Sequence, residues 1–194
     1  MSTASAAAAA TTTTTTAIPT GTWSVDPAHS KVGFAVKHMG IATVRGEFSE
    51  FAGTLEIGEA PGDLRIHGTA NAASIDTNEP QRDAHLRSAD FFDADRHPLI
   101  SFAATRVESL DEDTLAVTGN LTMHGVTAEI ILRAEVAGTD IDPYGNERVG
   151  LEVTGELSRG DFGMRFNQAL GSGNMLVSDR VKLALDIQAV RQSG

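Results

Sequence analysis

Six histidines and a set of arginines near one glycine-rich loop are the side chains of this 194-residue chain whose types suit chemistry. His29, His38, His85, His97 and His124 have carboxylates available at Asp26, Asp83, Asp90 and Asp161, and imidazole with carboxylate is the donor set for zinc or general-base work. No pair has the H-E-x-x-H spacing that puts two imidazoles on one helical face. His29 lies in the turn-prone Asp26-Pro27-Ala28-His29-Ser30, His97 precedes Pro98, and His124 occupies Met123-His124-Gly125, so each reads first as a turn residue. His67 is out of phase with Leu64 and Ile66 and reads as solvated. Gly171-Ser172-Gly173 lacks the full G-x-S-x-G nucleophile elbow, and there is neither a G-x-x-x-x-G-K-[ST] phosphate loop nor a dinucleotide fingerprint. Catalysis by a metal held on loop histidines is thus an alternative, not the leading reading. No catalytic residue, metal ligand or cofactor is assigned.

Arg159, Asp161 and Arg165 flank a Gly-containing turn, where charges either lock a loop or bind an anionic head group; loop-fixing is the first reading. The formal charge of −11 argues against nucleic acid, which draws on clustered Lys and Arg. The chain has no cysteine, which removes disulfides and thiolate metal sites. Residues 1–18 form an Ala- then Thr-rich stretch, with no Lys or Arg before Lys31, unlike a secretory signal. They are expected to be a disordered tail on one domain over 19–194, with a cytoplasmic location. No apolar run approaches transmembrane length.

The elements that must position these groups are strands. Apolar residues alternate at Val32, Phe34 and Val36; at Val44, Gly46 and Phe48; at Leu64, Ile66, Gly68 and Ala70; and at Ile100, Phe102 and Ala104. The pattern recurs through Leu115–Leu121, Ile130–Val136, Val149–Leu157 and Val181–Ile187, giving about eight strands. Glu47, Arg65, His67, Arg133, Glu135, Glu152, Glu156 and Asp186 fall on the other, solvent face. Between Phe48 and Phe51 the parity flips, which predicts a bulge or bend at Ser49-Glu50. Turns are marked at Ala60–Asp63, Leu110–Asp113 and Asp142–Asn146. One short helix is predicted over Glu79–Ala89, capped by Asn78 or Thr77 with Pro80 in its first turn. Antiparallel strands with one inward face close into a barrel or stack as a two-sheet sandwich, and parity alone leaves both open.

The inward face mixes Phe34, Val36, Phe48 and Phe102 with Gly46, Gly68, Gly119, Ala70, Ala104 and Ala134. Large residues of one strand either fill the gaps beside small ones of another, or the gaps remain as a cavity. A plain interaction module corresponds to the filled case. Phe162, Met164 and Phe166 share one parity and, with Met123 and Met175, suit a soft apolar mouth. Phe91 and Phe92 are expected mainly to seal the helix against the strands. His38, Arg45, Arg165, Asn167, Ser172 and Asn174, at strand ends or loops, are the candidate head-group contacts.

Four blocks in order, WSVDPAHSKVGFAVKHM at Trp23–Met39, FDADRHPLISF at Phe92–Phe102, GNLTMHGVT at Gly119–Thr127 and SRGDFGM at Ser158–Met164, resemble the YceI-like, polyisoprenoid-binding family over Thr22 to Val190. The resemblance implies an all-β, extended, lipocalin-like antiparallel barrel holding an elongated apolar ligand. It favours the barrel over the sandwich and the cavity over the filled interior. It implies binding, storage or transport of a polyisoprenoid, isoprenoid quinone or fatty-acyl lipid, in isoprenoid metabolism or stress response, rather than catalysis. Relatives often carry an export signal, from which this N-terminus departs. An exposed strand or the Phe91-Phe92 region offers a homodimer contact.

Overall fold

The structure, a computed structural model, describes residues 18–59 and 63–193. Its strands are β1 (Gly21–Val25), β2 (Lys31–His38), β3 (Ala42–Phe48), β4 (Phe51–Ile57), β5 (Leu64–Asn71), β6 (Ile75–Asp76), β7 (Leu99–Ser109), β8 (Thr114–Met123), β9 (Val126–Ile141), β10 (Glu147–Ser158) and β11 (Val177–Arg191), with one helix, α1 (Pro80–Arg87), before β7. Every pairing is antiparallel, and β1 pairs with both β4 and β11. That double pairing closes β1, β4, β5, β7, β8, β9, β10 and β11 into an eight-stranded barrel. The sandwich is thereby excluded. β2 and β3 continue β1 and β4 beyond bends: β2 pairs with the first half of β11, β3 with β2, and β6 with the end of β3.

Both bends follow from local sequence. Pro27 to His29 form a single 3-10 turn, with the Asp26 carboxylate accepting from the Ala28 amide at 3.0 Å. The expected parity flip is resolved at Ser49-Glu50, where the backbone leaves β3, the Ser49 amide donates to the Ser74 carbonyl at 3.2 Å, and Phe51 resumes the inward face. The β8–β9 hairpin turns on His124 and Gly125, both with positive φ (52° and 73°), as a two-residue primed turn requires. Asp142 and Asn146 close the β9–β10 turn, and Leu110 donates to Thr114 in the β7–β8 turn. The expected turn at Ala60-Pro61-Gly62 lies outside the described residues, as does most of the N-terminal stretch.

The helix differs from expectation at its start. Its N-cap is Glu79, whose carboxylate accepts from the Gln81 and Arg82 amides at 3.2 and 2.6 Å. Asn78 sits at φ 61°, and the Thr77 hydroxyl and amide are both bound by buried Asp83, at 2.5 and 2.9 Å, so neither can cap. Pro80 occupies the first turn as expected.

The barrel is packed unevenly along its axis. At the end bounded by β1, Ile18, Trp23, Leu55, Val149, Leu151 and Ala189 form a tight cluster, each no more than 6% exposed, and Trp23 donates its indole N–H to the Pro19 carbonyl at 3.1 Å. The carboxylates and arginines expected on the solvent face are exposed there. At the other end, inward-facing Val32, Phe34, Val36, Val177 and Val181 keep intermediate exposure, the signature of side chains facing a void rather than a packed core.

Candidate functional site: a hollow apolar barrel

The void is a cavity of about 300 Å³ open to water-sized molecules, running from Leu151 and Ile187 near the sealed end to Val36 and Val177 at the other. At ~30 Å³ per water such a volume corresponds to roughly ten waters, yet its walls offer them almost no hydrogen-bond partners. A space of that size and lining is suited to an apolar molecule.

Three inward glycines account for its shape. At Gly46 a Cβ would stand 2.5 Å from the Phe34 ring, and at Gly119 2.4 Å from the Phe102 ring, so these two phenylalanines fill the gaps beside the two glycines. At Gly68 the nearest foreign atom to a Cβ would be the Ala52 carbonyl oxygen, 3.9 Å away. Phe102 stands in register with Gly68 on one side and Leu121 on the other, and its ring leans toward β8 and Gly119. The space over Gly68 is left open.

Of the residues singled out in the sequence, Phe34, Val36, Phe48, Phe102, Met123 and Met164 line the cavity. Phe162 is 1% exposed and belongs to the solid core beneath the β8–β9 hairpin; its carbonyl lies 2.9 Å from His124 Nδ1. Phe166 packs edge-on against His85, with ring centroids 4.8 Å apart, and against Phe91. His38 ends β2 opposite Val177, and Met175 is 47% exposed on the loop before β11; neither lines the cavity. Phe91 and Phe92 seal, as expected, and line as well: Phe92 meets Phe48 edge-on at 5.6 Å, and both rings border the void.

The polar candidates do not converge on it. Arg45 and Arg165 are exposed, Arg45 because it is out of phase with Val44 and Gly46. Asn167 bridges the Val177 backbone, donating to its carbonyl at 2.7 Å and accepting from its amide at 3.1 Å. Asn174 donates to the Met39 carbonyl at 3.1 Å, and the exposed Ser172 hydroxyl stands 3.4 Å from the Asn174 amide. The cationic side chain that does reach the wall is Arg159, 5% exposed. It fixes the loop, as its sequence block suggested, by donating to the carbonyls of Ser178, Met164 and Val177 at 3.0, 2.8 and 3.4 Å, with its guanidinium carbon 5.9 Å from the Phe91 ring centroid. Burial lowers its pKa from the usual guanidinium value. What sequence missed is that this side chain borders the cavity; its position five residues before the inward Met164 was the available signal.

The histidines are scattered around this frame. His29 and His85 pair with Asp26 and Asp90, each at 2.8 Å on the surface, and the His97 and His124 rings stand 5.6 Å apart. Among the described residues no three His, Asp or Glu side chains come together in a metal-binding group.

A family model for the YceI-like domain matches residues 23–189. Protein YceI of Shigella flexneri is 36% identical over 165 residues, 84% of this chain and 83% of that protein. A UPF0312 protein of Pectobacterium atrosepticum is 37% identical over the same length, 84% and 82% of the two chains. Among solved structures, the Campylobacter jejuni YCEI protein superposes with a TM-score of 0.70 at 30% identity, covering 87% of this chain and 96% of that one. A polyisoprenoid binding domain from Saccharophagus degradans shares the fold at 15% identity, with a TM-score of 0.66 and coverage of 88% and 98%. With the barrel's closure, its bent first strands and a match reaching from Trp23 to Ala189, the chain belongs to the YceI-like family.

Proposed function

We propose that this protein sequesters one long apolar molecule, an isoprenoid, isoprenoid quinone or fatty-acyl lipid, inside its barrel and does no chemistry on it. The observation that carries this reading is the apolar cavity, left open over Gly68, which carries no side chain. Each methylene-equivalent moved from water into such a wall contributes ~0.8 kcal/mol before ordering costs. A chain of many such groups therefore binds without polar anchors, and the polar loop residues are free for their structural bonds. Phe34, Phe48, Phe102 and Met164 are the proposed contacts with the chain. The polyisoprenoid binding described for the Saccharophagus degradans domain of the same fold supports the class of ligand. The sealed β1 end makes the opposite end the way in, and carriage or storage follows from binding without turnover.

The test is titration of the purified protein with a fluorescent polyene fatty acid, followed by displacement with a long isoprenoid alcohol and with an isoprenoid quinone. Saturable uptake of one probe per chain, displaced by at least one of them, is the expected result. A folded protein that takes up none of the three overturns the reading.

A further inference from the structure

The chain is strongly acidic overall, yet Val32–Gly46 and Phe162–Ser178 carry no carboxylate. The fold ties these two together. The Met39 amide donates to the Leu176 carbonyl at 2.9 Å, Asn174 Nδ2 donates to the Met39 carbonyl at 3.1 Å, and His38 stands in register with Val177. The β2–β3 hairpin and the loop before β11 thus make one surface beside the end of the cavity where Val36 and Val177 stand.

That surface is apolar at its tip and basic behind it. Ile41 is 77% exposed and Met175 47%. Lys37, Arg45, Arg165 and Lys182 are exposed, and none forms an ion pair among the described residues. Lys182 and Arg45 both stand in register with Ala35, one on each side, which sets them in a row on the outer face of β11, β2 and β3, with Glu156 of β10 next to Lys182 at the far end of the row and paired with Arg180. The opposite end of the barrel is the internal comparison. It also exposes apolar side chains, Leu110 at 57%, Ile141 at 64% and Tyr144 at 90%, but on turns carrying Asp111, Glu112, Asp113, Asp140 and Asp142. Exposed apolar side chains are thus paired with opposite charge at the two ends.

We infer that the Ile41–Met175 surface docks on an anionic phospholipid bilayer, the apolar tips entering the headgroup boundary and the cations meeting the lipid phosphates. An apolar edge backed by Lys and Arg is the combination that binds such a surface. The acidic β9–β10 turn does not prevent it: β11, with 15 residues, leads from this surface at Val177 to the strand end beside that turn and spans about 50 Å at 3.3 Å per residue, several times the ~10 Å screening length at 0.1 M salt. Docked this way, the protein turns toward the bilayer the end of its cavity away from the packed β1 cluster, where, on the proposed function, an apolar ligand would pass without crossing water. The docking itself does not depend on the proposed ligand, because vesicle binding and ligand uptake are read separately.

The experiment is flotation of the full chain with vesicles of phosphatidylcholine alone and of phosphatidylcholine containing one-third phosphatidylglycerol. Binding to the anionic vesicles at low salt, its loss in concentrated salt, and none to the neutral vesicles are expected. K37Q and R45Q should each weaken the partition about fivefold, and I41S with M175S about tenfold. I141S with Y144S, at the other end, should leave it unchanged. No binding of the unaltered protein to anionic vesicles, equal binding to neutral ones, or an equal loss in the I141S/Y144S variant would overturn the inference. The salt and lipid comparisons use the unaltered chain, so they decide the matter even where a variant fails to fold.

Discussion

Replacing Gly68 by Leu separates a hollow barrel from a filled one, because the two effects it should have carry opposite signs. Gly68 lies on the inward face of β5 without a positive φ, and a Cβ there meets nothing closer than 3.9 Å. A leucine therefore extends into the cavity without backbone strain and occupies the space of about three ligand methylenes. At ~0.8 kcal/mol each the ligand loses about 2 kcal/mol, a weakening of about thirtyfold or more. The ligand-free protein gains, since an apolar side chain enters an apolar void and glycine leaves a strand interior; about 1–2 kcal/mol is expected. For a domain of this size that raises Tm by about 2–4 °C per kcal/mol. Gly119→Ala is the partner experiment on the same inward face. There a Cβ would stand 2.4 Å from the Phe102 ring and 2.6 Å from the Ala103 carbonyl oxygen, so overpacking should cost about 1–3 kcal/mol and Tm should fall. Calorimetry on ligand-free protein and polyene displacement give both quantities. A Gly68→Leu variant that melts as early as Gly119→Ala, or one that is stabilised yet binds as tightly as before, refutes the reasoning.

Three further outcomes are expected. Asp26 is held at about 2, first by the Arg148 guanidinium and next by His29, so its contribution to stability is complete above its ordinary pKa near 3.8 and is lost as pH falls toward about 2; urea midpoints measured from pH 5 to 2 should drop, and Arg148→Met should flatten the drop. Asp83→Ala leaves the buried Thr77 amide and hydroxyl without their acceptor and should destabilise by about 1–3 kcal/mol in urea titration, with α1 loosening first by hydrogen exchange. Arg159→Lys cannot span three carbonyls with one ammonium and should cost about 2 kcal/mol, with faster hydrogen exchange of the Val177 amide as the local readout.

The strands were legible because a period of two is a local property, and the bend at Ser49-Glu50 was legible because the flip from Phe48 to Phe51 breaks that period. The helix cap was not, because the competitor for Thr77 is Asp83, six residues away and brought to it by the packing of α1 on β6. The interior divides in the same way. Parity identified Gly46, Gly68 and Gly119 as inward, but which of them is filled depends on the side to which each ring leans. Phe34 covers the Gly46 it faces in register, whereas Phe102 faces Gly68 and covers Gly119. A rotamer choice of that kind is set by three strands at once and leaves no trace in one strand's pattern. The polar loop residues illustrate the converse error. Asn167 and Asn174 sit where head-group contacts would be sought, but their amides serve backbone groups that the irregular loop leaves without ladder partners.

The central claim is that the barrel is a container, and native mass spectrometry of the purified protein, before and after loading with a long isoprenoid, tests it most directly. One apolar molecule per chain, retained in the gas phase, released intact into organic solvent and reduced in the Gly68→Leu variant, is the result the account requires. Failure of the folded protein to retain any isoprenoid, quinone or fatty-acyl molecule, added or co-purified, would contradict it.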